Sequence, residues 1–86
     1  MTEDKLFSKQ LTGKTIISKT GKRFGEVDNL IFETRTGELI QLVLKSPTVH
    51  TSNLTLEKDK ENNSLIPYSS VIAIGDFVVI AEEDIV

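Results

Sequence analysis

Phe24-Gly25-Glu26-Val27-Asp28-Asn29-Leu30-Ile31-Phe32-Glu33-Thr34-Arg35-Thr36-Gly37-Glu38-Leu39-Ile40-Gln41-Leu42-Val43-Leu44-Lys45 carries the pattern of a long β-hairpin. Two β-rich runs, Phe24 to Glu33 and Glu38 to Lys45, flank Thr34-Arg35-Thr36-Gly37, a hairpin connection with glycine in the left-handed position. Simple alternation fails in the first run: Val27, Asn29 and Ile31 would share one face, Asp28, Leu30 and Phe32 the other, and neither is cleanly apolar. One extra residue near Asp28-Asn29 repairs the pattern and points Val27, Leu30 and Phe32 inward together, so a β-bulge is expected there. In the second run Ile40, Leu42 and Leu44 form a wholly apolar face. The expected core is Val27, Leu30, Phe32, Ile40, Leu42, Leu44 and Val71.

Outward from this hairpin the chain continues in short extended runs broken by turn residues. Thr15-Ile16-Ile17-Ser18 comes first, followed by a turn at Lys19-Thr20-Gly21-Lys22. Pro47 has no N–H for a ladder, so the third strand ends near it, and Ser46 to Asn53 reads as irregular. Leu54-Thr55-Leu56 and Leu65-Ile66-Pro67-Tyr68 read as two further strands around the polar loop Glu57 to Asn63. Val71-Ile72-Ala73-Ile74, the turn Gly75-Asp76 and Phe77-Val78-Val79-Ile80 close the chain. No convincing helix appears. The expected fold class is all-β, a small antiparallel barrel of about six short strands spanning residues 6–81, with a flexible N-terminus at 1–5 and an acidic, loose tail at 82–86.

The 86-residue length fits one domain, and so short a domain buries only about 60% of its unfolded surface. There is no cysteine, so neither a disulfide nor a thiolate nucleophile is available. No apolar stretch has signal-peptide or membrane-span length, and the chain is read as intracellular and soluble. The net charge of −3 disfavours nucleic acid, whose binding is driven by counterion release at basic surfaces. Lys9, Lys14, Lys19, Lys22 and Arg23 do gather early, as a solvated turn region.

Residues that carry chemistry are sparse. Gly13-Lys14-Thr15 resembles the end of a phosphate-binding loop, but Ser8 stands where the first glycine belongs and a strand follows. His50 is the only histidine, and it reads as a surface loop residue. Glu26, Asp28 and Glu33 lack calcium-loop spacing. Ser69 and Ser70 have no visible base. No catalytic residue, cofactor site or metal site is therefore assigned.

Three segments in order carry a family resemblance: Leu11 to Ile17 with Gly21-Lys22-Arg23-Phe24-Gly25-Glu26-Val27-Asp28-Asn29-Leu30; Thr36-Gly37-Glu38-Leu39-Ile40; and Leu65-Ile66-Pro67 through Val79. Together they resemble the PRC-barrel family over nearly the whole chain. That family includes the cytoplasmic domain of the photosynthetic reaction-centre H subunit and the C-terminal domain of the ribosome-maturation factor RimM. Leu6-Phe7-Ser8-Lys9 and Ile74-Gly75-Asp76-Phe77-Val78-Val79 look more like single-domain archaeal members, the CdpB-type adaptors of FtsZ-based division that associate with SepF and with one another. The resemblance implies a non-catalytic, cytoplasmic interaction adaptor, a homodimer or a partner of a paralogue or SepF-like protein, acting at the division site. An RNA-processing or ribosome-assembly factor is the alternative, and a small-ligand or metal sensor the third.

Apolar residues left over once the inward faces are assigned mark the expected interaction surface. Ile31, Leu39 and Val43 are expected to form one outward patch on the central hairpin. Phe77, Val78, Val79 and Ile80 form a strand apolar on both faces, and give a second surface. Leu6-Phe7 or Ile85-Val86 folding back over the patch is the alternative within one chain.

Overall fold

The computed structural model describes residues 10–85. Six strands form one sheet: β1 (Thr15–Ser18), β2 (Arg23–Phe32), β3 (Leu39–Lys45), β4 (Leu65–Pro67), β5 (Val71–Ile74) and β6 (Phe77–Ile80), in spatial order β4-β3-β2-β1-β6-β5. A one-turn helix α1 (Val49–Ser52) and two 3-10 turns, η1 (Tyr68–Ser70) and η2 (Glu82–Asp84), complete the described elements. The all-β class expected from the sequence is what the chain adopts.

The sheet is rolled, and a connection length explains why. β4 and β5 occupy opposite edges, which in a flat six-stranded sheet would lie about 24 Å apart. Only Tyr68–Ser70 joins them, and a 3-10 turn of three residues advances roughly 6 Å. The sheet must therefore curl until the end of β4 approaches the start of β5, while the rest of the β5 edge stays unpaired among the described residues. The ladder does not close between β4 and β5, and β1 pairs with β6 in parallel, two departures from the expected closed antiparallel barrel. The parallel pair arises because β6 returns beside β1 after four intervening strands, not through a hairpin, so no local turn dictates its direction.

The central hairpin forms as its turn chemistry requires. Gly37 takes φ +73, its N–H donates to the Glu33 carbonyl, and the Glu33 N–H donates to the Glu38 carbonyl. The bulge in β2 falls at Asp28, between the pairs Val27–Leu44 and Asn29–Val43. Val27 and Leu30 thereby enter the core, while Asp28 stays exposed.

A second bulge was not legible from alternation. Ile31 pairs with Gln41 but Phe32 pairs with Leu39, so Ile40 is the extra residue of β3. It turns outward and is 42% exposed, whereas Leu39 packs half-buried against the core. The placement of Ile40 in the core is corrected accordingly. The core cluster comprises Leu11, Ile16, Phe24, Val27, Leu30, Leu42, Leu44, Ile66, Val78 and Ile80, with Phe32 and Val71 partly buried against it.

Ser46 to Asn53 holds more order than its sequence suggests. Thr48 caps α1: its side chain accepts from the Thr51 N–H, and its hydroxyl donates to the Arg23 carbonyl at 2.7 Å. Thr51, itself buried, donates its hydroxyl to the Phe24 carbonyl at 2.6 Å. These bonds stitch α1 to the start of β2. Leu54-Thr55-Leu56 is not a strand; the polar segment after it forms an isolated bridge, Lys58 to Ser64. Among the described residues every buried side-chain nitrogen and oxygen has a partner.

Candidate interaction surface

The two edges of the sheet are built differently. β4 is three residues long and ends in Pro67, which lacks an N–H, so that edge is short and blunt. Among the described residues β5 has β6 as its only strand neighbour, and the run from Val71 through Gly75 carries neither charge nor proline. A bulge at Ile72 interrupts its ladder to β6 and turns an isoleucine outward where natural edges usually place a charge. Ile72 is 53% exposed, Ile74 40%, and Phe77, just past the Gly75-Asp76 turn, 49%. The turn is pinned from below: Lys14 Nζ donates to the Gly75 carbonyl, and the Gly75 N–H donates to the Phe77 carbonyl.

The residues expected at the interface fall into distinct settings. Val43 is 6% exposed and its neighbours Leu42 and Leu44 are buried too, so β3 is covered on both faces at these three residues, with Leu65 as the register partner of Val43. The Leu65 N–H donates to the Glu57 carbonyl, which brings the 54–57 segment alongside, and Leu56 is buried there too. Ile31 and Leu39 are half-buried. No exposed Ile31-Leu39-Val43 patch forms, because the chain covers it with its own residues. On β6, Val78 and Ile80 are buried in the core and Val79 is half-buried, since β6 lies inside the sheet between β1 and β5. Phe77 alone of the seven is exposed. Ile72 and Ile74 complete the surface; an uncharged run ending at a Gly-Asp turn was the available signal. Of the two segments considered as an intramolecular cover, Leu6-Phe7 and Val86 lie outside the described residues, and Ile85 packs against the main core.

A shallow groove of about 370 Å³ opens beside the outward Ile40, lined also by Gln41, Pro67 and Tyr68. Glu38 is the one charged residue at its rim.

His50 is drawn into the structure rather than standing free on a loop. Its Nε2 lies 3.1 Å from Glu82 Oε1, and its ring meets the Phe24 ring edge-on with centroids 5.3 Å apart. The C-terminal turn η2 is thus tied to α1 through Glu82 and to the β1–β2 turn through an ion pair of Glu83 with Lys19. Their mutual hydrogen bond raises the Lys19 ammonium above its usual value and lowers the Glu83 carboxyl below its own. The acidic residues 82–84, read as a loose tail, make these contacts as a 3-10 turn. Two of the early lysines are accordingly engaged by the protein itself, which thins the basic face an RNA would need. No group of three metal-ligating side chains occurs among the described residues.

The match to known proteins covers this whole arrangement. The PRC-barrel domain pattern matches residues 3–84. The chain belongs to the PRC-barrel family. PRC-barrel domains are generally non-catalytic and commonly mediate protein–protein contacts. This PRC-barrel is similar to an uncharacterized protein of Methanocaldococcus jannaschii, 33% identical over 82 residues that cover 95% of this chain and 88% of the relative. No helix among the described residues is long and apolar enough to cross a membrane.

Proposed function

We propose that this PRC-barrel is a non-catalytic adaptor that associates with itself and docks a protein partner. The observation that carries the reading is the β5 edge: an unblunted strand with Ile72 and Ile74 exposed along it and Phe77 exposed beside it. Exposed strand edges without charge or proline are templates for another chain, and natural folds usually protect them. Phe77 is retained from the expected surface, with Val79 behind it; the contribution of Ile31, Leu39 and Val43 is to hold the hairpin that supports the sheet.

Membership of a family whose domains are generally non-catalytic supports a non-catalytic role. His50 and Glu82 face each other, but the nearby Thr51 hydroxyl is committed to the Phe24 carbonyl. The resemblance of the chain's beginning and of Ile74 to Val79 to CdpB-type adaptors supports a place in the cytoplasm at the division site, with a SepF-like protein or a paralogue as partner. Sedimentation of the purified 9.6-kDa chain over a concentration series tests self-association, and co-sedimentation with a purified SepF-like protein tests the partner. A mass rising toward twice the monomer, with a partner complex, is expected. A chain that stays at 9.6 kDa at its solubility limit and binds no such protein overturns the reading.

A further inference from the structure

We infer that the self-association proposed above is a two-fold antiparallel pairing of β5 with β5 of a second copy, which joins two six-stranded sheets into one of twelve. The inference rests on the adaptor reading and names the surface and geometry that serve it. An open edge can accept any extended segment, so the occupant has to be argued from charge and from area.

Charge favours an identical strand. Two-fold pairing places each residue near its own counterpart, so any charged edge would oppose itself, and like charges directly opposite are destabilising. β5 is free of that conflict from Val71 to Gly75. Antiparallel symmetry brings the end of one β5 beside the beginning of the other. Asp76 then faces the uncharged Tyr68–Ser70 turn of the partner copy and not its own counterpart; of the carboxylates packed behind that turn, Glu82 faces His50 and Glu83 is paired with Lys19. Lys14 is held at the Gly75 carbonyl at the same end as Asp76, and the lysine nearest the opposite end, Lys19, is paired with Glu83. The opposite edge cannot substitute, because β4 offers three residues and a proline.

Area sets the strength. The exposed fractions of Ile72, Ile74 and Phe77 amount to about one and a half large side chains, on the order of 300 Å² per copy. Two copies bury roughly 600 Å² of apolar surface plus the paired backbone, below the 1,200–2,000 Å² of a stable complex. The pairing is therefore weak and reversible, formed where copies are concentrated, as on a scaffold that gathers them.

The wild type and an Ile72→Lys variant are compared by sedimentation equilibrium, with circular dichroism to check folding. Ile72 is half-exposed and outside the core, so Ile72→Lys keeps the fold. The symmetric interface contains the change twice, and association weakens by at least about ten-fold. The chain has no cysteine, so Ala73→Cys, exposed at mid-β5, and Lys60→Cys, exposed on the 57–63 loop, are each reacted with a short bismaleimide. Cross-linked dimer from Ala73→Cys and little from Lys60→Cys is expected. A dimer indifferent to Ile72→Lys, or cross-linking as readily from Lys60→Cys, overturns the β5 pairing while leaving self-association standing. A wild type monomeric at every concentration overturns both.

Discussion

Gly25→Ala is the substitution that most sharply tests how this small sheet is held together. Gly25 is buried at φ +148, a backbone conformation that side-chain-bearing residues rarely adopt. A Cβ there would stand 2.7 Å from the Lys45 carbonyl oxygen and 3.1 Å from two Leu44 side-chain carbons. The carbonyl is backbone of β3, adjacent to the Glu26–Lys45 pair where the β2–β3 ladder begins, so it cannot swing aside as a flexible side chain would. Backbone strain at such a position costs about 1–3 kcal/mol and forced overpacking about as much again, giving a total of about 4 kcal/mol. At the usual stability per residue, a chain of this length has about 4–13 kcal/mol in all. The melting temperature should fall by on the order of 20 °C. Gly37→Ala is the control: φ is +73, but nothing lies within 4 Å of the added Cβ, so only about 1–2 kcal/mol of left-handed strain applies. Thermal denaturation followed by circular dichroism compares the two. A Gly25→Ala shift no larger than that of Gly37→Ala would refute the close β2–β3 approach.

Two further predictions follow from burial and one from a carboxylate. Leu42 is fully buried, so Leu42→Ala should cost about 2–5 kcal/mol, whereas Ile40→Ala, on the outward bulge one turn of alternation away, should change stability by no more than about 0.5 kcal/mol. Equal losses in urea unfolding would place Ile40 back in the core. Asp59 accepts the N–H groups of Asn63 and Glu61, and the Asn63 bond chiefly holds its carboxyl below the usual aspartate value. A lowered carboxyl contributes stability that is present above its unfolded value of about 3.9 and is lost as pH falls through the folded value. The contribution is small because the group is exposed to solvent. Carbon-detected titration should find the Asp59 midpoint below that of an unstructured aspartate, with the 59–63 amides shifting alongside; a midpoint at or above the ordinary value would contradict the turn.

Much of the fold is readable from residues whose chemistry has a single outcome. The Thr34–Gly37 connection announces a left-handed glycine, and the failure of alternation around Asp28 announces a bulge because a carboxylate cannot face the core. The Ile40 bulge gave no such signal. Leu39 and Ile40 are both apolar, so the pattern reads as well with either one inside. Val43 misled for a related reason: apolar residues left over outside the inward face suggest an interface, but Val43 is buried by residues of the same chain. The helix at Val49–Ser52 is too short to show a period, and only its Thr48 cap and the Thr51 bond to Phe24 reveal why it forms. The parallel β1–β6 pair is set by the roll of the whole sheet, which no local segment encodes. The candidate surface was half legible, since Phe77 stood among the expected residues while the uncharged edge beside it becomes significant only once β5 is known to be terminal.

Amide hydrogen exchange at low and high protein concentration reports where copies meet as well as whether they do. With β5 paired to β5, Val71 to Ile74 exchange more slowly at high concentration while the 57–63 loop is unchanged, and Ile72→Lys abolishes the difference. Concentration-dependent protection on another face, with β5 exchanging equally fast throughout, would contradict that pairing.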